Sequence, residues 1–288
     1  MKIATDWKDY KIIATGNGEK LEKWGNVCLL RPDPQVIWKA KFDFSSYPAL
    51  SARYLPEGKL GEKWELIKNV PETFRVSRKN LTFNLKLMKG FKHTGLFPEQ
   101  AVNWDMMIGL IKNAKRPINV LNLFAYTGGA TMACASAGAS VCHVDAATSM
   151  VQRAKENMKS SSMEDRPVRY IIDDCVKFVK REINRGRKYD AIIMDPPSFG
   201  RGPTGELWKI ESNLDDLIAL TKGVLSDDPL FYLINSYTTG LQPGVIANLI
   251  DLNFKENKHE TDAYEVGLPT QEGIPLPCGC SGLAIFKN

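Results

Sequence analysis

From about residue 94 onward, apolar runs of strand length alternate with stretches of helical period, and few folds accommodate that alternation. The runs are 118–124, 140–144, 168–172, 191–194, 230–234 and 283–286. Helical periodicity predicts helices over 98–113, 129–137, 148–160, 175–185, 214–225 and 243–252, with Pro98 suited to a first helical turn. Parallel strands need long crossover connections, and the crossing helices cover both faces of the sheet, so the strands read as nearly unbroken apolar runs. The expected fold class is α/β, with a doubly wound, mostly parallel sheet.

The first ninety residues follow another rhythm. Short β-prone pieces at 10–14, 27–30 and 35–40 are separated by Gly16-Asn17-Gly18 and Arg31-Pro32-Asp33-Pro34. Segments 64–67 and 81–87 alternate apolar and polar side chains, the period of a half-buried strand. Residues 1–90 are therefore expected to form a small, mostly antiparallel β-rich domain suited to substrate recognition, ahead of an α/β domain over 91–288.

Composition narrows the class. A chain of 288 residues that is 43% hydrophobic and 25% charged can bury a core and is not disordered. No run approaches the ~20 apolar residues of a membrane span, and the segment from Met1 to Asp9 lacks a signal-peptide core. Six scattered cysteines read as buried thiols in a reducing, cytoplasmic compartment. The net charge of +5 is uneven: residues 1–117 carry 21 Lys+Arg against 12 Asp+Glu, and the remainder carries 17 against 21. Such asymmetry suits a polyanion docking on the first half.

Ligands of open α/β sheets bind beyond the carboxyl ends of the strands. The first of these tips reads Asn122-Leu123-Phe124-Ala125-Tyr126-Thr127-Gly128-Gly129. Adjacent glycines between strand and helix let backbone amides approach a ligand. Gly-Lys-Ser/Thr is missing, as are the spaced glycines of the dinucleotide fingerprint. The second tip ends in Asp145, placed to accept from both hydroxyls of a ribose or to cap the next helix. The third carries Asp173 and Asp174, acceptors for an exocyclic amine or caps again. The fourth is the sharpest: Asp195-Pro196-Pro197-Ser198-Phe199. Two prolines hold an extended backbone; Asp195 and the Pro196 carbonyl then face an amine on a flat acceptor, and Phe199 is positioned to stack on it.

This arrangement resembles the class I S-adenosylmethionine-dependent methyltransferases, in particular the branch related to bacterial 23S ribosomal-RNA large-subunit methyltransferases. The resemblance covers about 91–288 and includes His93-Thr94-Gly95 and Glu99-Gln100 ahead of the first strand. It implies a Rossmann-like sheet and S-adenosyl-L-methionine as methyl donor. It further implies that Gln100, Asn122, Phe124, Ala125, Tyr126, Thr127, Gly128 and Gly129 surround the donor's methionine end. Asp145, with Ala146 and Ser149, would hold the ribose. Asp173, Asp174 and Cys175 would face the adenine. Asp195 would lie between donor and acceptor, with Pro196, Pro197, Ser198 and Phe199 on the acceptor side.

The cysteines bear on the reaction type. Methylation at cytosine C5 needs a thiolate that adds to the ring, yet the tips carry Ser198 and Asn235-Ser236-Tyr237. Cys278 and Cys280 read as inert thiols in a rigid turn, and a lone Cys-x-Cys with three histidines in the chain supports no metal. The glycine-bearing loop from Gly200 to Lys209 reads as a lid, with Arg201, Trp208 and Lys209 for a base and its phosphate. The expected activity is methyl transfer to a nucleobase nitrogen in RNA. Transfer to a small molecule or protein side chain, and non-catalytic adenosine binding, stay open; the sequence is silent on oligomeric state.

Overall fold

Val120 packs into one hydrophobic core and Leu121, its neighbour, into another, both fully buried. A strand apolar on both faces belongs at the centre of a covered sheet, and this one does. The computed structural model describes residues 1–56, 63–201 and 207–287.

The strands of the leading part are β1 (Lys2–Ile3), β2 (Tyr10–Gly16), β3 (Glu19–Trp24), β4 (Val27–Pro32), β5 (Leu50–Leu55), β6 (Lys63–Leu66), β7 (Phe74–Arg78) and β8 (Leu81–Leu85). Then follow α1 (Ala101–Asn113), β9 (Asn119–Leu123), α2 (Gly129–Ser136), β10 (Ser140–Asp145), α3 (Thr148–Ser160), β11 (Val168–Ile172) and α4 (Cys175–Asn184). The chain continues through β12 (Ala191–Met194), β13 (Phe199–Arg201), β14 (Leu207–Lys209), α5 (Ile210–Lys222), β15 (Phe231–Ser236), α6 (Pro243–Phe254), β16 (His259–Leu268) and β17 (Leu276–Phe286).

The large sheet has the order β1-β16-β17-β15-β12-β9-β10-β11. It is parallel except at β17, which runs against both β15 and β16. The expected α/β class and mostly parallel sheet are therefore observed. The leading β-rich region forms a five-stranded sheet, β2 to β6 in sequence order, and a hairpin of β7 with β8. One pair within it, β4 with β5, is parallel. Its core joins that of the large sheet: Tyr10, Trp24 and Phe83 belong to the same buried cluster as Trp104, Val120 and Ile193. The hairpin is clamped to α3 by the Thr82 N–H donating to Ser161 Oγ (2.9 Å) and the Asn84 N–H donating to Asn157 Oδ1 (2.8 Å).

Two sequence readings need correction. Residues 35–40 are not a strand: the Gly18 and Asn17 amides donate to Val36 and Trp38 carbonyls, folding the segment over the β2–β3 turn. Ile37 is left 91% exposed. The Cys278–Cys280 segment is no turn either, since it lies inside β17. No helix among the described residues is long and apolar enough to cross a membrane.

Candidate functional site

The turn after β9 departs from ordinary backbone at three points: Phe124 (φ 55°), Tyr126 (φ 50°) and Gly128 (φ 85°). Left-handed conformations cost an aromatic residue about 1–3 kcal/mol and persist only where neighbours enforce them. Here the Tyr126 amide donates to Asp145 Oδ2 and the Ala125 amide to the Val144 carbonyl. Thr127 Oγ1 donates to the Gly95 carbonyl at 2.6 Å, tying the His93-Thr94-Gly95 segment to the turn. The glycines are demanded by packing. A Cβ on Gly128 would lie 2.9 Å from Ala154 Cβ, and one on Gly129 would lie 2.7 Å from Trp104 Cζ2.

This turn opens on a cavity of about 1250 Å³ that runs between the strand tips and the leading β-sheet. Pockets for one drug-sized ligand run roughly 300–1000 Å³, so there is room for a donor and part of an acceptor. Of the residues expected from sequence, Phe124, Tyr126, Asp145, Ala146, Asp174, Cys175, Asp195, Pro196, Pro197 and Ser198 line it.

The others do not, each for a visible reason. Asn122 is buried behind the turn, donating to Thr131 Oγ1. Ala125, Thr127, Gly128 and Gly129 back onto the protein. Ser149 is exposed on the first turn of α3. Asp173 pairs with Arg181, leaving Asp174 on the cavity wall. Gln100 turns inward to donate to Tyr237 (2.8 Å) while its neighbour Glu99 reaches the cavity. Phe199 starts β13, 57% exposed, and Trp208 replaces it as the aromatic wall. Trp208 is placed by its indole N–H donating to the Pro197 carbonyl at 2.6 Å. Of the expected lid, residues 202–206 lie outside the described residues; its flanks pair as β13 and β14.

Sequence reasoning missed the far wall. Lys20 and Arg31 come from the leading sheet, Asp33 from just after β4, and Phe97 from the segment before α1 in which sequence already singles out His93 and Glu99. Arg31 is buried and donates through Nε and Nη2 to Glu22 (2.6 and 2.9 Å), which also accepts from Tyr10. Lys20 pairs with Asp33 at 3.0 Å. Phe97 packs against Tyr126 and Tyr237, with ring centroids 5.7 and 5.2 Å away. The signal available in sequence was a short polar strand, Glu19–Trp24, that alternation of apolar residues does not reveal.

Burial sets the electrostatics. It pushes Asp195 up to about 7, with a further push from the Glu99 carboxylate. Asp145 is also raised by burial, against the pull of the Ala147 and Tyr126 amides. His93 is lowered to about 4 by burial and the nearby Arg31, Lys92 and Lys20 charges, so it is neutral at pH 7. Cys278 lines the cavity, but burial and then Glu99 hold its thiol well above the ordinary value.

A sequence model of the S-adenosylmethionine-dependent methyltransferase family matches residues 35–225. The chain belongs to that family. The methyltransferase structure from Agrobacterium tumefaciens is 30% identical and superposes with a TM-score of 0.91, covering 99% of this chain and 93% of that one. Ribosomal RNA large subunit methyltransferase K/L of Shewanella frigidimarina is 30% identical over 191 residues, 62% of this chain and 26% of that protein. The K enzyme of Neisseria meningitidis is 25% identical over 232 residues, 77% of this chain and 64% of that protein. The chain thus spans about a quarter of the first curated relative and under two thirds of the second.

The cavity's chemistry fits such a methyl donor. Each Asp145 oxygen already accepts one main-chain N–H at 2.8 Å, from Tyr126 and Ala147, and a carboxylate has capacity for a diol besides. Asp174 caps α4 through Oδ1 alone, the Lys177 amide donating at 2.8 Å. Its other oxygen suits an exocyclic amine, and Met150 and Val176 beside it offer apolar surface for a flat ring.

Proposed function

We propose that this methyltransferase acts on a nucleobase nitrogen in RNA, with ribosomal RNA as the first class to test. The observation that carries the reading is the shared cavity. Tyr126, Asp145 and Asp174 line the same cavity as Asp195, Pro196 and Pro197.

The donor supplies a methyl group on a sulfonium, already electrophilic, so the protein's task is alignment. Asp145 and Asp174 would hold the donor's ribose and adenine. Asp195 and the Pro196 carbonyl would accept hydrogen bonds from the acceptor nitrogen and direct its lone pair. Trp208 and Tyr237 are aromatic walls for a base turned out of its stack. Nitrogen is favoured over cytosine C5 because the two thiols that line the cavity, Cys175 and Cys278, are both held protonated by burial. Residues 1–90, richer in cations than in anions, would grip the phosphates.

The test is transfer of tritiated methyl groups into hypomethylated RNA. We expect label in RNA, its loss in Asp195→Ala with S-adenosylhomocysteine binding intact, and binding that weakens steeply with salt. Label confined to protein or small molecules would overturn the RNA reading. A stable adduct with 5-fluorocytosine RNA would overturn the choice of nitrogen.

A further inference from the structure

Three residues stand in one row across the leading sheet. Thr15 of β2 is directly opposite Lys20 of β3, and Lys20 is directly opposite Arg31 of β4. Opposed residues share a face of a sheet. Lys20 and Arg31 line the cavity, and Thr15, 1% exposed, ends the row. β2 is the outer strand of that sheet, and a loop covers its free edge. The loop is the one between β16 and β17. Thr270 forms a parallel bridge with Ile12, and the Gln271 amide donates to the Ile12 carbonyl at 3.0 Å. The Thr15 amide then donates to Glu272 Oε2 at 2.7 Å, and Thr15 Oγ1 donates to the same oxygen at 3.2 Å.

Glu272 itself stays out of the cavity lining; its side chain is 10% exposed, with Lys41 Nζ 3.6 Å from its other oxygen. The strands that carry its loop do reach the cavity, through Leu268 at the end of β16 and Cys278 near the start of β17. A second tie comes from Trp38, whose indole N–H lies 3.2 Å from both the Thr15 carbonyl and Oγ1. The segment leading to Trp38 begins with Asp33, Pro34 and Gln35, which also line the cavity. Thr15 is thus the joint at which the leading sheet, the 33–38 segment and the β16–β17 loop meet. A bond from N–H to a carboxylate is roughly twice as strong as one between neutral groups, so Glu272 is the stronger of the two ties.

We propose that Glu272 is a positioning residue: by gripping Thr15 it fixes Lys20 and Arg31 in the cavity wall, and with them the place of the acceptor, while leaving the methyl donor untouched. This deepens, and rests on, the reading of the cavity as a shared donor and acceptor site. The wall that Glu272 holds is made of two ion pairs, Lys20 with Asp33 at 3.0 Å and Arg31 with Glu22 at 2.6 Å. Poorly solvated pairs offset their desolvation only at good geometry, so a sheet free to shift at Thr15 loosens the wall. The donor side has supports of its own. Asp145 ends β10 and Asp174 follows β11, both in the large sheet, and their printed bonds run to Tyr126, Ala147 and Lys177.

The experiment is pulsed acylation of lysines in the full chain, read at Lys20 by mass spectrometry. The Lys20 side chain is 16% exposed, so it reacts slowly while the wall is in place. In Glu272→Ala its rate should rise about tenfold, the result of local opening around Thr15. Glu272→Gln, whose amide oxygen still accepts from the Thr15 N–H, should stay within about twofold of wild type. Cys134, fully buried in α2, should remain closed to a thiol reagent in both, which separates local opening from unfolding. With hypomethylated RNA, Glu272→Ala should raise KM about tenfold at unchanged S-adenosylhomocysteine affinity, and Glu272→Gln should not. A Lys20 rate unmoved in Glu272→Ala, or raised equally in Glu272→Gln, overturns the proposal. So does an exposed Lys20 with KM unmoved, since Glu272 would then be merely structural. The acylation needs no RNA, so a wild-type chain that labels no RNA counts against the substrate, while Lys20 still decides the role of Glu272.

Discussion

The main-chain N–H of Tyr126 donates to Asp145 Oδ2 at 2.8 Å, tying the turn after β9 to the tip of β10. Tyr126 is left-handed at φ 50°, so the acid holds a strained loop in place as well as facing the cavity. The two roles predict two losses. Asp145→Ala should lower S-adenosylhomocysteine affinity by about 100-fold and stability by about 1–3 kcal/mol, the cost of leaving N–H groups unpaired. Calorimetry and urea unfolding read the two separately. Lost affinity with unchanged stability would show that the turn does not depend on this bond.

Gly128 is predicted to tolerate no side chain. Its φ of 85° and the 2.9 Å approach of a Cβ to Ala154 Cβ act together. Gly128→Ala should destabilise by about 1–3 kcal/mol. Adding Ala154→Gly should recover the steric part and leave the backbone part, which a double-mutant cycle in urea would resolve.

The Arg31–Glu22 pair predicts a large structural effect away from the strand tips. Glu22 is fully buried, and its removal strands a buried guanidinium. Glu22→Ala should cost about 3–5 kcal/mol, seen as a lowered urea midpoint. Replacing both partners by apolar residues should cost much less.

Asp195 predicts a stability profile with a definite sign. Its folded value of about 7 lies above the unfolded carboxyl's, so the folded chain keeps a proton that the unfolded chain releases. The associated stability is complete below about pH 4 and is lost as pH rises to about 7, on the order of 1–3 kcal/mol. Asp195→Asn removes this dependence. Its stability relative to wild type should therefore rise across that window, as urea unfolding at pH 5 and pH 8 would show. A constant difference would mean that Asp195 ionises normally.

Much of the large sheet was legible because each central strand is buried on both faces. The strands β11 and β12 coincide with the expected bounds, as does α3. The misses share a cause. In β3, Glu22 is fully buried through Arg31 and Tyr10, so a charged strand lies inside a core and defeats a hydrophobic count. In β16, the outward positions of His259–Leu268 are polar, and pairing with β17 along strands of ten and eleven residues supplies what local pattern does not.

The sequence by itself determined the doubly wound architecture, and it located Asp145, Asp174 and Asp195, because strand tips and turn formers are local signals. Tertiary structure alone decided which side chains share the cavity. Glu99 rather than Gln100, Trp208 rather than Phe199, and Arg31 and Lys20 from the leading sheet face it. Neighbouring residues in a chain point in different directions, and only packing against distant elements selects which of them is turned toward a ligand.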